Sequence, residues 1–462
     1  MQPISVRKIQ QVVKGELVKG SEQWSIKHAI YYQRHDLTHS HTMLFVSKHE
    51  PIHWQTFQQY EPVLIVTDKP LTELQDVHTN ATILYVRSLV QAYWLFLDYY
   101  RKLFQIPVVA LTGTCGKTTV KEMMKHIASQ EWAVQASISS KNEPRQSLPY
   151  LTGIDKQTEA AIFELGLGNT GNIKHQCMIY QPTIGIMTNI GVHHLDGCKN
   201  LAGYIKAKGE LLEGIRQGGT LIINADDRNI QQLPISSFRG KVFTFGLQVA
   251  ADYRATQIQY SKKGMTFMLH FGDDTYKAFV AGFGEHQVYN ALAAIAGCHR
   301  MGLSLPTILA HLRTFQPMAR HLEVVTGVNG SMIIDDTWTN NPTSIEAALK
   351  VLGTMGKGKK VIVILGDIKR LGQFEEKYHR EIGTLLAKQT VHTLVTIGKK
   401  AEFIAKQAQQ DGTMAEVHCF KDAKDVLEFL KPKLDKGSIV LVKGPMSSRS
   451  MIDFAKRLRA QE

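Results

Sequence analysis

Between residues 106 and 128 the chain reads IPVVALTGTCGKTTVKEMMKHIA, a segment that few folds can accommodate. An unbroken apolar run of strand length gives way to a glycine-flanked loop. After the loop, Val120, Met123, Met124, Ile127 and Ala128 recur on one face of a helix. Strand, glycine loop, helix is the setting in which a loop holds phosphate. Glycines let backbone N–H groups close round the oxygens, and the helix amino end adds positive potential. Lys117 then reaches the terminal phosphates and the Thr118 hydroxyl can ligate magnesium. Gly113, Thr114, Cys115, Gly116, Lys117, Thr118 and Thr119 are thus the expected nucleotide contacts. The general pattern puts four residues between its glycines; here two separate Gly113 from Gly116, and Leu111 holds the outer position. A glycine turn with a chance Lys-Thr pair gives the same letters, but the flanking strand and helix favour phosphate. Cys115 reads as a tolerated small residue rather than a nucleophile, although a helix amino end favours its thiolate.

The same alternation runs on, in three blocks. Up to about residue 105, short strand-like runs (TMLFVS, PVLIVTD, TILYVR) mix with helical patterns and close on the aromatic segment LVQAYWLFLDYYRKLF. From about 106 to 318, AAIFELG, TIGIMTNIG and GTLIINADD repeat the order apolar strand, turn, amphipathic helix, which predicts a parallel sheet covered on both faces. From about 319 to 462, SMIIDD, KVIVILGD, HTLVTIG and GSIVLVKG begin a second doubly wound sheet, Rossmann-like but without the dinucleotide glycine fingerprint. The fold class is therefore α/β in three domains: 1–105, 106–318 and 319–462. A chain of 462 residues is also too long for one ordinary core.

Composition narrows the function. With 44% hydrophobic and 21% charged residues the chain has the make-up of a globular protein. It shows no secretion signal and no span long enough for a bilayer, so a cytoplasmic location is expected. The five cysteines are scattered, with no C-x-x-C pair, and read as free thiols. A formal charge of +13 is spread along the chain, without dense basic tracts, so anionic small molecules fit better than nucleic acid. A monomer is expected.

Other residues carry chemistry by position. Glu164 ends an apolar strand at its carboxyl edge, where open α/β sheets bind ligands; a carboxylate there can hold magnesium or merely cap a helix. His194 follows the next strand in the same position, beside His193. Lys208 shares a helical face with Ile205, Leu211, Leu212 and Ile215, with Lys206 as a competing assignment and surface snorkelling as the plain explanation. His286 and Asn290 lie one helical turn apart and can jointly meet a base edge.

The short loop, followed in order by FELGLGNTGNI, TNIGVHHLDGCKNLAGYIKAKGELL, INADD, GEHQVYNALAAIA, MARHLEVV, IIDDTWTNNPTSIEAAL, LGDIKRLG and LVKGPMSSRSM, resembles the Mur ligase family over about residues 106 to 450. The blocks match the branch that joins D-alanyl-D-alanine to the UDP-N-acetylmuramoyl tripeptide. The resemblance implies an ATP-dependent, ADP-forming ligase acting through an acyl phosphate, with magnesium held by Thr118, Glu164, His194 and a carbamylated Lys208. It places His286 and Asn290 near adenine, Arg320 on ATP phosphate and Asp336 on the nucleotide, with Asn341 and Lys443 on substrate. Lys117, Lys208, His194 and Arg320 are the implied catalytic set.

Departures gather at substrate-recognition positions. RHDLTHSHTMLFVSKHEP lacks the branch's signatures for a UDP-binding first domain, and SSKNEPRQSLPYLTG replaces a loop rich in Gly and Asn. Trp338 stands for a tyrosine, and Arg370 for an acid. Two further readings therefore stay open: a related ligase joining another carboxylate and amine, and a nucleotide-binding protein without catalysis.

Overall fold

A computed structural model describes residues 1–32, 37–52, 54–74, 80–143 and 146–460. Parts of two departures, Arg34 to Asp36 and Pro144 with Arg145, lie outside the described residues. Among the described residues three large sheets follow one another along the chain, beside a two-stranded pairing of Ile4–Ser5 with Ser25–Ile26. The first has the order Glu16–Lys19, Thr82–Tyr85, Val63–Thr67, Thr42–Val46, His28–Tyr31, with the first pair antiparallel and the rest parallel. The helix Leu89–Lys102 leads out of it, capped where the Ser88 side chain accepts from Gln91 N. Arg101 on that helix is buried and donates to the carbonyls of Tyr180 and Phe104, fastening the first unit to the second.

The central sheet has nine strands. Its parallel part runs Val134–Ala136, Ala160–Glu164, Val108–Thr112, Ile184–Met187, Thr220–Asn224, Lys241–Gly246 and Tyr253–Tyr260. The inner strands are buried along their whole length, which is why they read as unbroken apolar runs. Beyond Tyr253–Tyr260 the sheet continues antiparallel through Gly264–Phe271 and Asp274–Ala281, an addition to the expected parallel sheet. The connections there, Ser261 to Lys263 and Gly272 with Asp273, are too short for a crossover helix, and only a hairpin closes over so few residues. The helix Glu285–Met301 runs through this unit buried round most of its circumference, with Gly297 tight against Met124 and Ile186.

The third sheet has the order Glu323–Thr326, Met332–Asp336, Ser438–Lys443, Lys360–Gly366, Thr393–Ile397, Glu416–Phe420, antiparallel only at its first pair. Ligand sites in such sheets form at the carboxyl ends of parallel strands. The carboxyl edges of the second and third sheets meet at one seam, where Cys115, Val192 and Leu195 contact Asn341, Thr343 and Arg370. Among the described residues no helix is long and apolar enough to cross a membrane. All five cysteines are free thiols.

Candidate active site

The strand Val108–Thr112 ends at Gly113, whose φ of 149° leaves the space a side chain would need to the Thr188 hydroxyl. Gly116, at φ 82°, then starts the helix Lys117–Ala128. The loop between is held by the end of the neighbouring strand. Thr114 N donates to Asn189 O at 2.9 Å and Cys115 N to Asn189 Oδ1 at 2.9 Å. The Cys115 carbonyl accepts from Thr188 Oγ1 at 2.7 Å and Asn189 Nδ2 at 3.0 Å. Thr188 and Asn189, in the string TNIG, were not singled out from sequence. Their only sequence signal is their position at a strand's carboxyl end.

Thr118 and Glu164 are brought into contact. The Thr118 hydroxyl donates to Glu164 Oε2 at 2.8 Å, and Asn142 Nδ2 donates to Oε1 at 2.7 Å. Register explains the meeting, since Glu164 pairs with Leu111, one residue before the loop strand ends. Glu164 is 2% exposed. Lys117 Nζ bends back to the Thr114 carbonyl at 3.4 Å.

Lys208, on the helix Leu201–Gly214, lies beneath the loop. Its Nζ donates to Thr112 Oγ1 at 3.0 Å and to the Gly113 carbonyl at 2.8 Å, and the Tyr204 ring lies 5.3 Å away. Burial, then the charge of Lys117, pulls its pKa well below the ordinary amine value. The buried position excludes the solvated alternative. Tyr204, whose hydroxyl lies 3.1 Å from Thr114 Oγ1, is a buried support that the sequence did not announce.

His194 has a left-handed φ of 50° at the start of the short helix Leu195–Cys198. Burial, then the charges of Lys208 and Lys117, lowers its pKa to about 3, so the imidazole is neutral. Its Nδ1 is buried with no hydrogen-bond partner among the described residues. The His193 ring stands edge-on to it at 4.1 Å.

Above the loop opens a cleft of about 730 Å³, lined by Cys115, Gly116, Thr119, His286, Asn290 and Asp336 among others. Burial lowers the His286 pKa to about 4 against the pull of Asp336. The cleft also takes in Asp226, which accepts from three backbone amides of residues 247 to 249 and from the Tyr289 hydroxyl at 2.7 Å. The string INADD announced this stretch without assigning the residue.

The third sheet supplies the opposite wall. Asp336 is paired with Lys443, which is wholly buried and also donates to the Thr339 carbonyl at 2.7 Å. Lys443 is therefore not a solvated strand end. Asn341 caps the helix Pro342–Met355, its Oδ1 accepting from Ser344 N at 2.8 Å, and that oxygen also lies 3.5 Å from Cys115 Sγ. Burial raises the Cys115 pKa in spite of this contact. Arg320 stands apart from the cleft lining. Its guanidinium lies 4.6 Å over the Trp338 ring, and its backbone has a φ of 63°. Among the described residues no group of three or more His, Cys, Asp and Glu side chains converges as a metal cluster.

Residues 111–298 match the family model for the Mur ligase middle domain, and residues 320–446 match that for the Mur ligase, glutamate ligase domain. The UDP-N-acetylmuramoyl-tripeptide–D-alanyl-D-alanine ligase of Haemophilus influenzae is 30% identical over 355 residues, 74% of each chain. The protein of that name from Bacillus subtilis is 27% identical over 453 residues, 97% of this chain and 96% of its own. A crystal structure of MurF from Acinetobacter baumannii superposes with a TM-score of 0.84 at 26% identity, covering 99% of both chains. The chain belongs to the Mur ligase family.

Proposed function

We propose that this chain is an ATP-dependent, ADP-forming carbon–nitrogen ligase. It adds D-alanyl-D-alanine to the UDP-N-acetylmuramoyl tripeptide in peptidoglycan precursor synthesis, in the cytoplasm and as a single chain. The observation that carries the reading is the bond of Thr118 to Glu164 at the mouth of the phosphate loop, with the buried Lys208 bonded to the Gly113 carbonyl behind it. The relatives named above, over nearly the whole chain, point to the substrates.

Joining a carboxylate to an amine in water is uphill, so the carboxylate is first activated. It attacks the γ-phosphate of ATP, giving an acyl phosphate and ADP; the amine then attacks the acyl carbon and phosphate leaves. Gly113 to Thr119 cradle the phosphates, and Lys117 neutralises charge as it shifts among oxygens. Asp336, His286 and Asn290 hold the nucleoside from opposite walls of the cleft. Arg320, swung off Trp338, reaches the phosphates. Asn341, which meets Cys115 at the seam, and Lys443, which holds Asp336, act on the substrate side. The third unit excludes water from the acyl phosphate.

The residues present fit magnesium. Thr118 and Glu164 offer oxygens, and Nδ1 of the neutral His194, which has no hydrogen-bond partner among the described residues, offers a nitrogen. Burial favours the uncharged amine of Lys208, the form that can take up carbon dioxide as a carbamate and so become an anionic ligand. Held by these residues, magnesium would supply positive charge to offset that on the phosphate oxygens.

A second reading keeps the chemistry and changes the cargo, because Arg370 stands at an acidic position of the family and is paired with Asp196. One experiment separates the two. Purified protein with Mg-ATP, the UDP-muramoyl tripeptide and D-alanyl-D-alanine is assayed for ADP and the amide product, beside a panel of other amines and acids. Turnover with the first pair, lowered about 10²–10³-fold in K117A, is the expected result. Turnover with a different pair alone moves the assignment to the second reading, and no ADP with any pair overturns both.

A further inference from the structure

Lys121 carries a charge into the interior. It lies one turn beyond Lys117 on the phosphate-loop helix, and its side chain is 0% exposed. A buried ammonium is tolerable only when each N–H finds an acceptor. Here all three do. Nζ donates to the Ser137 carbonyl at 2.7 Å and the Ser139 carbonyl at 2.5 Å, and lies 2.8 Å from Glu122 Oε1.

The two carbonyls belong to the turn that leaves the strand Val134–Ala136, where Ser139 holds a left-handed φ of 50°. That turn delivers Asn142 to Glu164 Oε1 at 2.7 Å, and Ser137 Oγ accepts from Glu164 N at 3.0 Å. Tyr150 clips the same turn from outside, accepting from Ile138 N at 3.1 Å and donating to the Lys141 carbonyl at 2.8 Å. One oxygen of the Glu164 carboxylate is therefore oriented by the helix, through Thr118, and the other by the turn, through Asn142. Lys121 is the cross-link between helix and turn.

We propose that Lys121 is a positioning residue for Glu164: it fixes the turn that aims the carboxylate at the phosphate loop, and thereby sets the divalent-cation affinity of the site. The proposal rests on the functional reading above, in which Glu164 holds the cation. It does not require Lys121 to touch nucleotide or metal. If Lys121 only filled the core, its loss would lower stability and leave metal affinity unchanged.

The test is Mn²⁺ binding in the presence of ADP, read from the electron paramagnetic resonance signal of free Mn²⁺, in unaltered protein, K121M, N142A and K121M/N142A. ADP binding without metal is measured alongside. Each single change is expected to weaken Mn²⁺ binding about tenfold, as removal of outer-shell support does, and to leave metal-free ADP binding within about twofold. Because the two residues act in series, the double variant should be no weaker than the weaker single one. Mn²⁺ affinity unchanged in K121M, or single effects that multiply in the double variant, overturns the proposal. Should K121M fail to fold, N142A decides alone, since Asn142 is the link that transmits the effect, and unchanged affinity there overturns it. Unaltered protein that binds no Mn²⁺ with ADP removes the functional reading itself, and the proposal with it.

Discussion

Arg370 and Asp196 face each other across the seam between the second and third units, Nη1 lying 3.2 Å from Oδ2, while the Arg370 carbonyl accepts from the Leu195 amide at 2.9 Å. Both contacts fall beside His194. Arg370 makes them from a left-handed φ of 67°. The pair is half exposed, and such pairs contribute about 0–1 kcal/mol. Charge reversal in R370E should therefore slow turnover about three- to tenfold by putting like charges together, with the KM for ATP little changed. The swapped pair D196R/R370D should recover most of the loss. Equal rates in R370E and unaltered protein at low ionic strength would show that the pair has no part in closure.

Val192 N donates to Thr343 Oγ1 at 3.3 Å, and a Cβ placed on Gly191 would lie 1.8 Å from that hydroxyl. G191A should force the units apart at a cost of about 1–3 kcal/mol, about five- to hundredfold in ligation rate. Combining it with T343A removes the obstructing hydroxyl but leaves the Cβ at 2.8 Å, so the double variant should regain part of the lost rate. Steady-state rates for the three proteins check this, and failure of the double variant to regain activity would locate the damage elsewhere.

Lys443 is wholly buried against Asp336. Removing one partner of a buried pair leaves an uncompensated charge, which costs about 3–5 kcal/mol. K443M should lower the urea midpoint accordingly, and D336N in the same chain should restore part of it. Stability unchanged in K443M would show that the pair adds nothing to the fold.

His194 and His286 are held neutral, with pKa values of about 3 and about 4 against 6.5 when free. Between those values and 6.5 the unfolded chain binds more protons than the folded one. Their contribution is thus fully present above pH 6.5 and is lost as pH falls through that window. At pH 5 each residue should cost about 2 kcal/mol relative to pH 7.5. Denaturant midpoints across this range check the slope, which should flatten in H286N.

The fold was legible where burial is complete. Val108–Thr112, Ala160–Glu164 and Ile184–Met187 are covered on both faces, so their apolar runs could be read directly. The hairpins after Tyr253 were not, because one solvated face scatters Arg254, Gln259 and Lys277 through the strands. At the site, Thr118 and Glu164 were legible because each sits at the end of a recognisable element. Lys121 was not, since its partners are backbone carbonyls of a turn, and no side-chain pattern marks a carbonyl. Asn341 and Cys115, 226 residues apart in sequence, meet only because two sheets turn their carboxyl edges to one seam.

The helix Glu285–Met301 presents His286 and Asn290 to the cleft from its amino end, while the rest of it is packed on nearly every side. A rod embedded in this way cannot yield to an incoming guest. The opposite wall, with Asp336, Thr339 and Thr343, belongs to the third unit, which meets the second at the seam. One jaw of this vice is anchored in a packed core and the other is carried by a separate unit, so the width left for a guest is set by how those two units meet at the seam.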